Sequence, residues 1–365
     1  MKDEQKRESV GLWLTNACNL NCTYCYIREK DDRTMSLEKA MEILRPELNG
    51  EGGRLEICFM GAEPLTRFER IREIVETVCS GTWKRPYVFV AATNGTLLRE
   101  EMKPWLTAHR DHLALALSYD GDTAQLLNRT PHHEPVDIDY FLETWPMQPW
   151  KITISEEAAG SVDRDLIALH ERGVRFTANV AYEEKRWSPA SVREYELALM
   201  RLAEYYARHP DVRPCNLLGI PLSAILCKKE DVMCAYCSAG ESFRFYDFEG
   251  RVYPCHLFSQ MVCAPEQTIE GGFWPEGTDF TDPRCAACEA RCVCYTCMGD
   301  NWLRRGDIRF RDDQHCGMFR AQLWAIVHYI CEKYEPCPVV STLQAEEIRQ
   351  ARAIALALQS GRIGR

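Results

Sequence analysis

Short apolar runs recur along the first 180 residues, separated by stretches in which apolar positions return every three or four residues. The runs at 10–14, 54–59, 86–92, 113–119, 150–155 and 174–180 are too short for helices and rich in β-branched or aromatic residues, which predicts strands. The stretches 36–48, 66–79, 97–108, 163–172 and 188–208 carry the helical period. In the first of these, Ser36 stands where an N-cap belongs, and Leu37, Met41, Leu44 and Leu48 share one face. Strands alternating with helices predict an α/β fold with a parallel sheet or barrel. Periodicity does not separate an open sheet from a barrel. In either, ligands gather at the C-terminal ends of the strands.

The pattern changes near residue 212. Beyond it the chain is turn-rich, with few long helices before 318, and most of its 19 cysteines fall there. A last helical pattern spans 342–358, with Leu343, Ile348, Ile354 and Leu358 on one face. The expected organisation is a core over 1–212, a cysteine-rich domain over 213–320 and a helical tail over 321–365 that packs on the surface.

Composition narrows the function classes. A formal net charge of −10 argues against a nucleic-acid partner, which needs a basic face. No apolar run approaches the roughly 18 residues of a membrane span, and the charged start, Met1 to Arg7, is not a signal peptide. The expected location is the cytoplasm. There cysteines serve as metal ligands or free thiols more often than as disulfides.

The first strand runs into Cys18-x3-Cys22-x2-Cys25, with Tyr24 before the last cysteine. Three thiolates on one loop can hold three irons of a [4Fe–4S] cluster and leave the fourth open. A partial zinc site is the plainer reading, but zinc sites usually take four ligands in two pairs. The segment resembles the signature of radical SAM enzymes. That resemblance implies a six-stranded partial (β/α)6 barrel, a cluster on Cys18, Cys22 and Cys25, and S-adenosylmethionine chelating the open iron. Electron transfer from the reduced cluster then yields a 5′-deoxyadenosyl radical. Later strand ends fit the same family. Met60-Gly61-Ala62-Glu63-Pro64 follows strand two, where the family has Gly-Gly-Glu-Pro. Asn94 lies in the turn after strand three, and Ser118-Tyr119-Asp120-Gly121 ends strand four. By resemblance, Tyr24, Glu63, Asn94, Ser118, Ser155 and Asn179 contact the cosubstrate. Taken singly, Gly-Ala-Glu-Pro or Asp-Gly is a turn, and Ser155 and Asn179 are local caps or bridges.

The cysteine-rich half has Cys237-x12-Gly250-x4-Cys255, then Cys285-x2-Cys288-x5-Cys294-x2-Cys297, then Cys316. It resembles a SPASM domain, which binds two auxiliary [4Fe–4S] clusters. The resemblance assigns Cys237, Cys255 and Cys297 to one cluster, with Cys234 or Cys227 as a fourth ligand. It assigns Cys285, Cys288, Cys294 and Cys316 to the other. An extra Cys292 and a last gap shorter by one residue leave Cys292 and Cys294 as alternatives. Zinc remains the competing occupant of paired C-x2-C motifs. Cys58 and Cys79 fall within element patterns and are expected to be buried small hydrophobes. Cys263 is the spare nearest Cys255 and His256 in sequence.

Tyr253-Pro254-Cys255-His256-Leu257-Phe258 is similar to a stretch of thioether-forming peptide maturases. The implied substrate is a ribosomally synthesised, cysteine-containing precursor peptide, and the implied product a thioether crosslink. Carbon–carbon or ether crosslinking, epimerisation and formylglycine formation use the same scaffold. An iron–sulfur electron carrier or a zinc scaffold is the non-catalytic alternative. His256 is a candidate base, or a donor to a cluster sulfur. The expected partners are the peptide and a flavodoxin or ferredoxin as electron donor; with fewer than ten residues before the first strand, leader binding is expected to use another surface, a separate leader-binding protein, or no leader at all.

Overall fold

Alternation along the first strand sets the layering. In β1 (Glu8–Thr15), Val10, Leu12 and Leu14 are fully buried in the main core, while Trp13 between them joins a separate cluster with Ile27, Phe245 and Tyr253. One strand face therefore meets helices and the other meets a lumen. The computed structural model describes residues 8–27, 29–129, 135–182, 186–228, 237–275, 278–334 and 341–364. After β1 come α1 (Leu37–Asn49), β2 (Leu55–Gly61), α2 (Phe68–Cys79), β3 (Tyr87–Thr93), α3 (Lys103–Ala108) and β4 (Leu113–Leu117). Two short helices, α4 (Asp122–Asn128) and α5 (Ile138–Thr144), precede β5 (Trp150–Ile154), α6 (Val162–Glu171), β6 (Phe176–Val180) and α7 (Pro189–Arg208). The six strands and five main helices fall where the hydrophobic pattern places them. Ser36 caps α1 through its side chain, which accepts from the Lys39 N–H.

β1 to β4 pair in parallel in chain order, and β5 pairs in parallel with β6. A single parallel bridge, Ser118 to Lys151, joins the two sets, reinforced by the Tyr119 N–H on the Lys151 carbonyl at 3.1 Å. The result is an open, partial (β/α)6 barrel. Its lumen face carries Met60, Ala92, Ala114, Ala116, Ser118, Lys151, Thr177 and Asn179, by alternation with buried neighbours such as Phe59, Ala91, Leu115, Leu117 and Ala178. The floor is made of small side chains, and Ala92 and Lys151 are solvent-accessible in the middle of the sheet.

The cysteine-rich half begins, after α8 (Leu222–Ile225), by extending this sheet. β7 (Phe243–Tyr246) pairs in parallel with the free edge of β1, and β8 (Val252–Tyr253) turns back antiparallel to it. This hairpin has no counterpart in the sequence expectation. Beyond α9 (Met298–Arg305), α10 (Asp313–Tyr334) packs along α7, where the Gln322 amide donates to the Tyr195 hydroxyl at 2.9 Å. The expected division at 320/321 thus falls inside a continuous helix. α11 (Thr342–Gln359), closed by a capping box at Ser341 and Gln344, lies against α10. It buries Ala351, Ile354, Ala357 and Leu358, so the tail is part of the packed structure, and Leu343, expected on the apolar face, is 80% exposed. Cys58 and Cys79, expected to be buried, are each only half-buried. Among the described residues, no helix is long and apolar enough to cross a membrane.

The close approach of β1 and β2 below the first cysteine loop depends on one glycine. Gly61 has φ +123°, and a Cβ there would lie 2.2 Å from the Thr15 carbonyl oxygen. Gly173 also has positive φ, +73°, but nothing lies within 4 Å of its Cβ position. Gly61→Ala is expected to lower unfolding free energy by roughly 3 kcal/mol or more, against about 1 for Gly173→Ala, in parallel urea titrations. Equal costs would mean that the Thr15 contact relaxes freely.

Candidate cluster and cosubstrate sites

The loop after β1 carries Cys18, Cys22 and Cys25, all partly exposed, and returns beside β1 through a bridge between Thr15 and Thr34. It is turned by the Cys25 N–H on the Cys22 carbonyl (3.1 Å), and the Leu20 N–H points at the Cys18 sulfur (3.3 Å). Neighbouring strand ends hold it. The Asn94 amide donates to Asn19 (3.1 Å), Asn19 donates to Thr96 (2.8 Å), and the Thr23 N–H donates to the Asn128 carbonyl (3.1 Å). Burial pushes the Cys18 thiol up to about 11 and raises Cys22 as well. A bound cation reverses that balance and takes the thiolate.

Glu63 is buried and used by the protein itself. Its Oε1 accepts from the Leu65 N–H (2.9 Å) and the Thr93 hydroxyl (2.8 Å), and its Oε2 accepts from the Asn94 N–H (2.7 Å). It locks the loops after β2 and β3 together. Burial raises its pKa against those three donors. The positive φ in Gly61-Ala62-Glu63 falls on Gly61, which is how alanine is accommodated where the family pattern has a second glycine. Asn94 accepts from the Thr96 N–H and hydroxyl, so its side chain braces the cysteine loop. The buried Ser155 hydroxyl donates to Asn128 Oδ1 at 2.7 Å, a local bridge. Ser118 and Asn179 are half-buried on the lumen face and, among the described residues, no hydrogen bond engages their side chains.

Tyr24 leads to residues that motif reading left without a role. Its hydroxyl donates to Asp120, which also takes the Arg129 Nε (2.9 Å) and the Thr153 N–H (2.9 Å). Asp120 and Arg129 are both buried, and the Arg129 guanidinium lies 5.3 Å from the Tyr24 ring centroid. Burial is the largest influence and opposes the guanidinium charge, but Asp120, Tyr24 and Cys22 together overcome it and raise the Arg129 pKa. An arginine at the end of a short helix gives no sequence signal of burial. Lys151 does stand out in the sequence, because it interrupts the apolar run Trp-Lys-Ile-Thr-Ile at a lumen-facing position. Among the described residues its ammonium has no ion pair, and burial followed by Arg129 holds its pKa below the usual lysine range.

The second cysteine group lies across the lumen. Cys255 packs against a small apolar cluster of Ala239, Phe258 and Met298, which gathers the segments that carry Cys237, Cys255 and Cys297. Cys297 caps α9, its sulfur accepting the Asp300 N–H at 3.5 Å; burial pushes the thiol up to about 12, and that N–H opposes the shift without reversing it. Cys234 lies outside the described residues. Cys227, the other expected fourth ligand, is placed elsewhere: its thiol faces the Cys288 carbonyl and its N–H bonds the Glu289 carbonyl at 2.7 Å. His256 is wedged against Tyr26 (ring centroids 5.0 Å apart), Trp13 and Phe245, and burial lowers its pKa to about 3. A ring that weakly basic is a poor proton acceptor near neutral pH. The Cys263 thiol is buried and satisfied locally, donating to the Ser259 carbonyl at 3.0 Å.

Cys285, Cys288, Cys294 and Cys316 line a single cavity, and Cys292 is not among its lining residues. The buried Arg291 and Arg311 border it and donate to the carbonyls of Cys288 (3.1 Å) and Cys294 respectively. Buried guanidiniums call for nearby negative charge. Among the described residues, no three His, Cys, Asp or Glu side chains converge on a point as one bound ion requires. A cubane is a body rather than a point, and its ligands ring a space.

Comparison with known proteins assigns the family. The description "Radical SAM superfamily" matches residues 14–139. The uncharacterised protein MJ0907 of Methanocaldococcus jannaschii is 35% identical over 267 residues, which span 69% of this chain and 86% of that protein. The chain belongs to the radical SAM superfamily. A radical SAM protein of this fold matches two solved structures over most of its length. One is histidine-tagged anSMEcpe with bound AdoMet (TM-score 0.64, 17% identity, 94% of this chain and 98% of that one). The other is Streptococcus suis SuiB bound to precursor peptide SuiA (TM-score 0.53, 16% identity, 84% and 75%). At these identities the likeness is one of fold.

The radical SAM assignment brings one [4Fe–4S] cluster and S-adenosylmethionine, and the residues present fit them. Among the described residues, four of the buried polar atoms without hydrogen-bond partners stand where cofactors are expected: Asn16 Oδ1 and Asn128 Nδ2 beside the triad loop, His256 Nδ1 next to Cys255, and His315 Nε2 at the third cysteine cavity. Orphaned buried atoms of this kind call for a ligand or water.

Proposed function

We propose that this radical SAM enzyme modifies a ribosomally made, cysteine-containing peptide by closing a sulfur-to-carbon crosslink. The observation that carries the reading is Tyr26. Tyr26 follows Cys25 of the triad directly, and its ring lies 5.0 Å, centroid to centroid, from that of His256, which follows Cys255. Two cysteine groups thus border one lumen, and Tyr26 and Lys151 reach water within it while protein surrounds them. The fold shared with SuiB, solved with a precursor peptide, supports a peptide as occupant.

In this reading Cys18, Cys22 and Cys25 hold the cluster that binds S-adenosylmethionine. Cys237, Cys255 and Cys297, with Cys234, hold one auxiliary cluster, and Cys285, Cys288, Cys294 and Cys316 hold the other. Loaded, the triad site supplies a radical that takes a hydrogen atom from carbon. Thioether closure removes from the peptide that hydrogen atom, one proton from sulfur and one electron, and the auxiliary group across the lumen is placed to accept the electron. Ser118 and Asn179 offer uncommitted polar groups to the cosubstrate, and Lys151 offers a positive charge to a carboxylate. Trp13 and Met60, in the apolar cluster on the lumen side, keep water from the reacting carbon. A flavodoxin or ferredoxin supplies electrons.

The test is co-expression with a short cysteine-bearing peptide encoded in a neighbouring reading frame, followed by mass spectrometry with and without thiol alkylation. Loss of two hydrogens together with one alkylatable thiol is the expected result. Loss of two hydrogens with every thiol still alkylatable would assign a carbon–carbon or ether crosslink. An unchanged mass while S-adenosylmethionine is consumed would overturn crosslinking.

A further inference from the structure

The cavity ringed by Cys285, Cys288, Cys294 and Cys316 is closed on one side by the segment that follows α11. Ile363 and Gly364 line it, and Ile363 is 1% exposed. The segment is tied down at successive residues. The Glu289 N–H donates to the Arg362 carbonyl at 3.0 Å, and the Arg362 guanidinium returns to both Glu289 carboxylate oxygens at 2.8 Å. Arg320 donates to the Ile363 carbonyl. The Gly364 N–H then points at the Cys288 sulfur, 3.5 Å away, with Gly364 at φ +90°. Glu289 follows Cys288 directly, so the latch and the thiol it covers belong to one turn.

Ser360 caps α11 and the chain turns back at Gly361, φ +74°, where the Arg362 and Ile363 N–H groups donate to the Ala357 carbonyl at 3.0 and 3.2 Å. That turn requires neither the Arg362–Glu289 pair nor the Gly364 N–H on sulfur, and it leaves Ile363 in the wall of the cavity that the four thiols line. Solvent access and hydrogen bonds to sulfur are two of the terms that set an iron–sulfur cluster's potential and its exposure to oxidants.

We propose that residues 362–364 form a latched strap that shields the auxiliary cluster at this cavity from solvent, with Arg362 and Glu289 as the latch and Ile363 as the plug. The proposal rests on the reading that these four cysteines hold a cluster. Ile363 acts through the cluster's surroundings and is a positioning residue.

The test uses the reconstituted full chain under anaerobic conditions, with Arg362→Ala, Ile363→Ala and Cys316→Ala compared with wild type. In the two strap variants a chelator is expected to extract about four irons per chain several-fold faster than from wild type, with the remaining iron unchanged in rate. The midpoint potential of that one cluster, followed by EPR-monitored titration, is expected to move upward, because water stabilises the more negative reduced form. Unchanged extraction and potential in both strap variants would overturn the strap. Faster loss from all clusters together would also overturn it, as general destabilisation. Cys316→Ala separates the underlying reading: if it leaves iron content and EPR signals at wild-type values, the cavity holds no cluster.

Discussion

Cys22→Ala is expected to abolish 5′-deoxyadenosine formation from S-adenosylmethionine under strong reduction, to the level of a reaction without enzyme. Three thiolates leave one iron open for the cosubstrate; two leave the cluster without a stable seat. The loop itself should persist. Its ties to the rest of the barrel run through Asn94 to Asn19 and through the Thr23 N–H to Asn128, none of which uses the Cys22 side chain. The variant should therefore melt close to wild type while losing about a third of its iron, one cluster of three. Cys58→Ala is the matched control, since Cys58 lies on the lumen face by alternation with Phe59 but, among the described residues, its thiol bonds only to Glu56. It should retain full cleavage. Cleavage by Cys22→Ala at the wild-type rate would remove the triad from the chemistry.

The second large effect concerns stability. Asp120→Asn keeps the shape of the side chain and removes the charge that Arg129 faces. The guanidinium is then buried beside Tyr24 without a counter-charge. Breaking one side of a buried pair costs roughly 3–5 kcal/mol, and urea titration should read a loss of that order. The damage should also reach the site, because Asp120 ties Tyr24 of the cysteine loop to the Thr153 N–H of β5. Adding Arg129→Met to Asp120→Asn should recover part of the loss, since no unpaired charge remains buried. Glu101→Gln is the reference, its side chain 68% exposed and paired only with Arg99, and it should change stability by less than about 1 kcal/mol. A cost that small at Asp120 would mean that water reaches Arg129.

How far the sequence could be read depends on whether the deciding interaction is local. Strand alternation and helical period are local, and they located the six barrel strands to within a few residues. The Cys18, Cys22 and Cys25 loop was equally legible, because spacing on one turn is a local property. Glu63 was located, but its use was not: three donors from two neighbouring loops occupy its carboxylate, and no motif announces them. The β7–β8 hairpin on the edge of β1 is a pairing between segments far apart in the chain, Ser9 lying opposite Phe243. Arg129 and Asp120, at opposite ends of α4, meet only once that helix forms and packs on α6. The face of α11 was misjudged at Leu343 because α10, which selects the buried stripe, is a tertiary neighbour. Spacing could not choose between Cys292 and Cys294, whereas the cavity wall includes Cys294 alone of the two.

The account stands most directly on the claim that three separate cysteine groups each seat a cluster. Iron and acid-labile sulfide, quantified per chain after anaerobic reconstitution and desalting, test it in one measurement. About twelve irons and twelve sulfides per chain are expected, three clusters of four. About four of each would leave only the triad cluster, and the cysteine-rich half would then need another explanation.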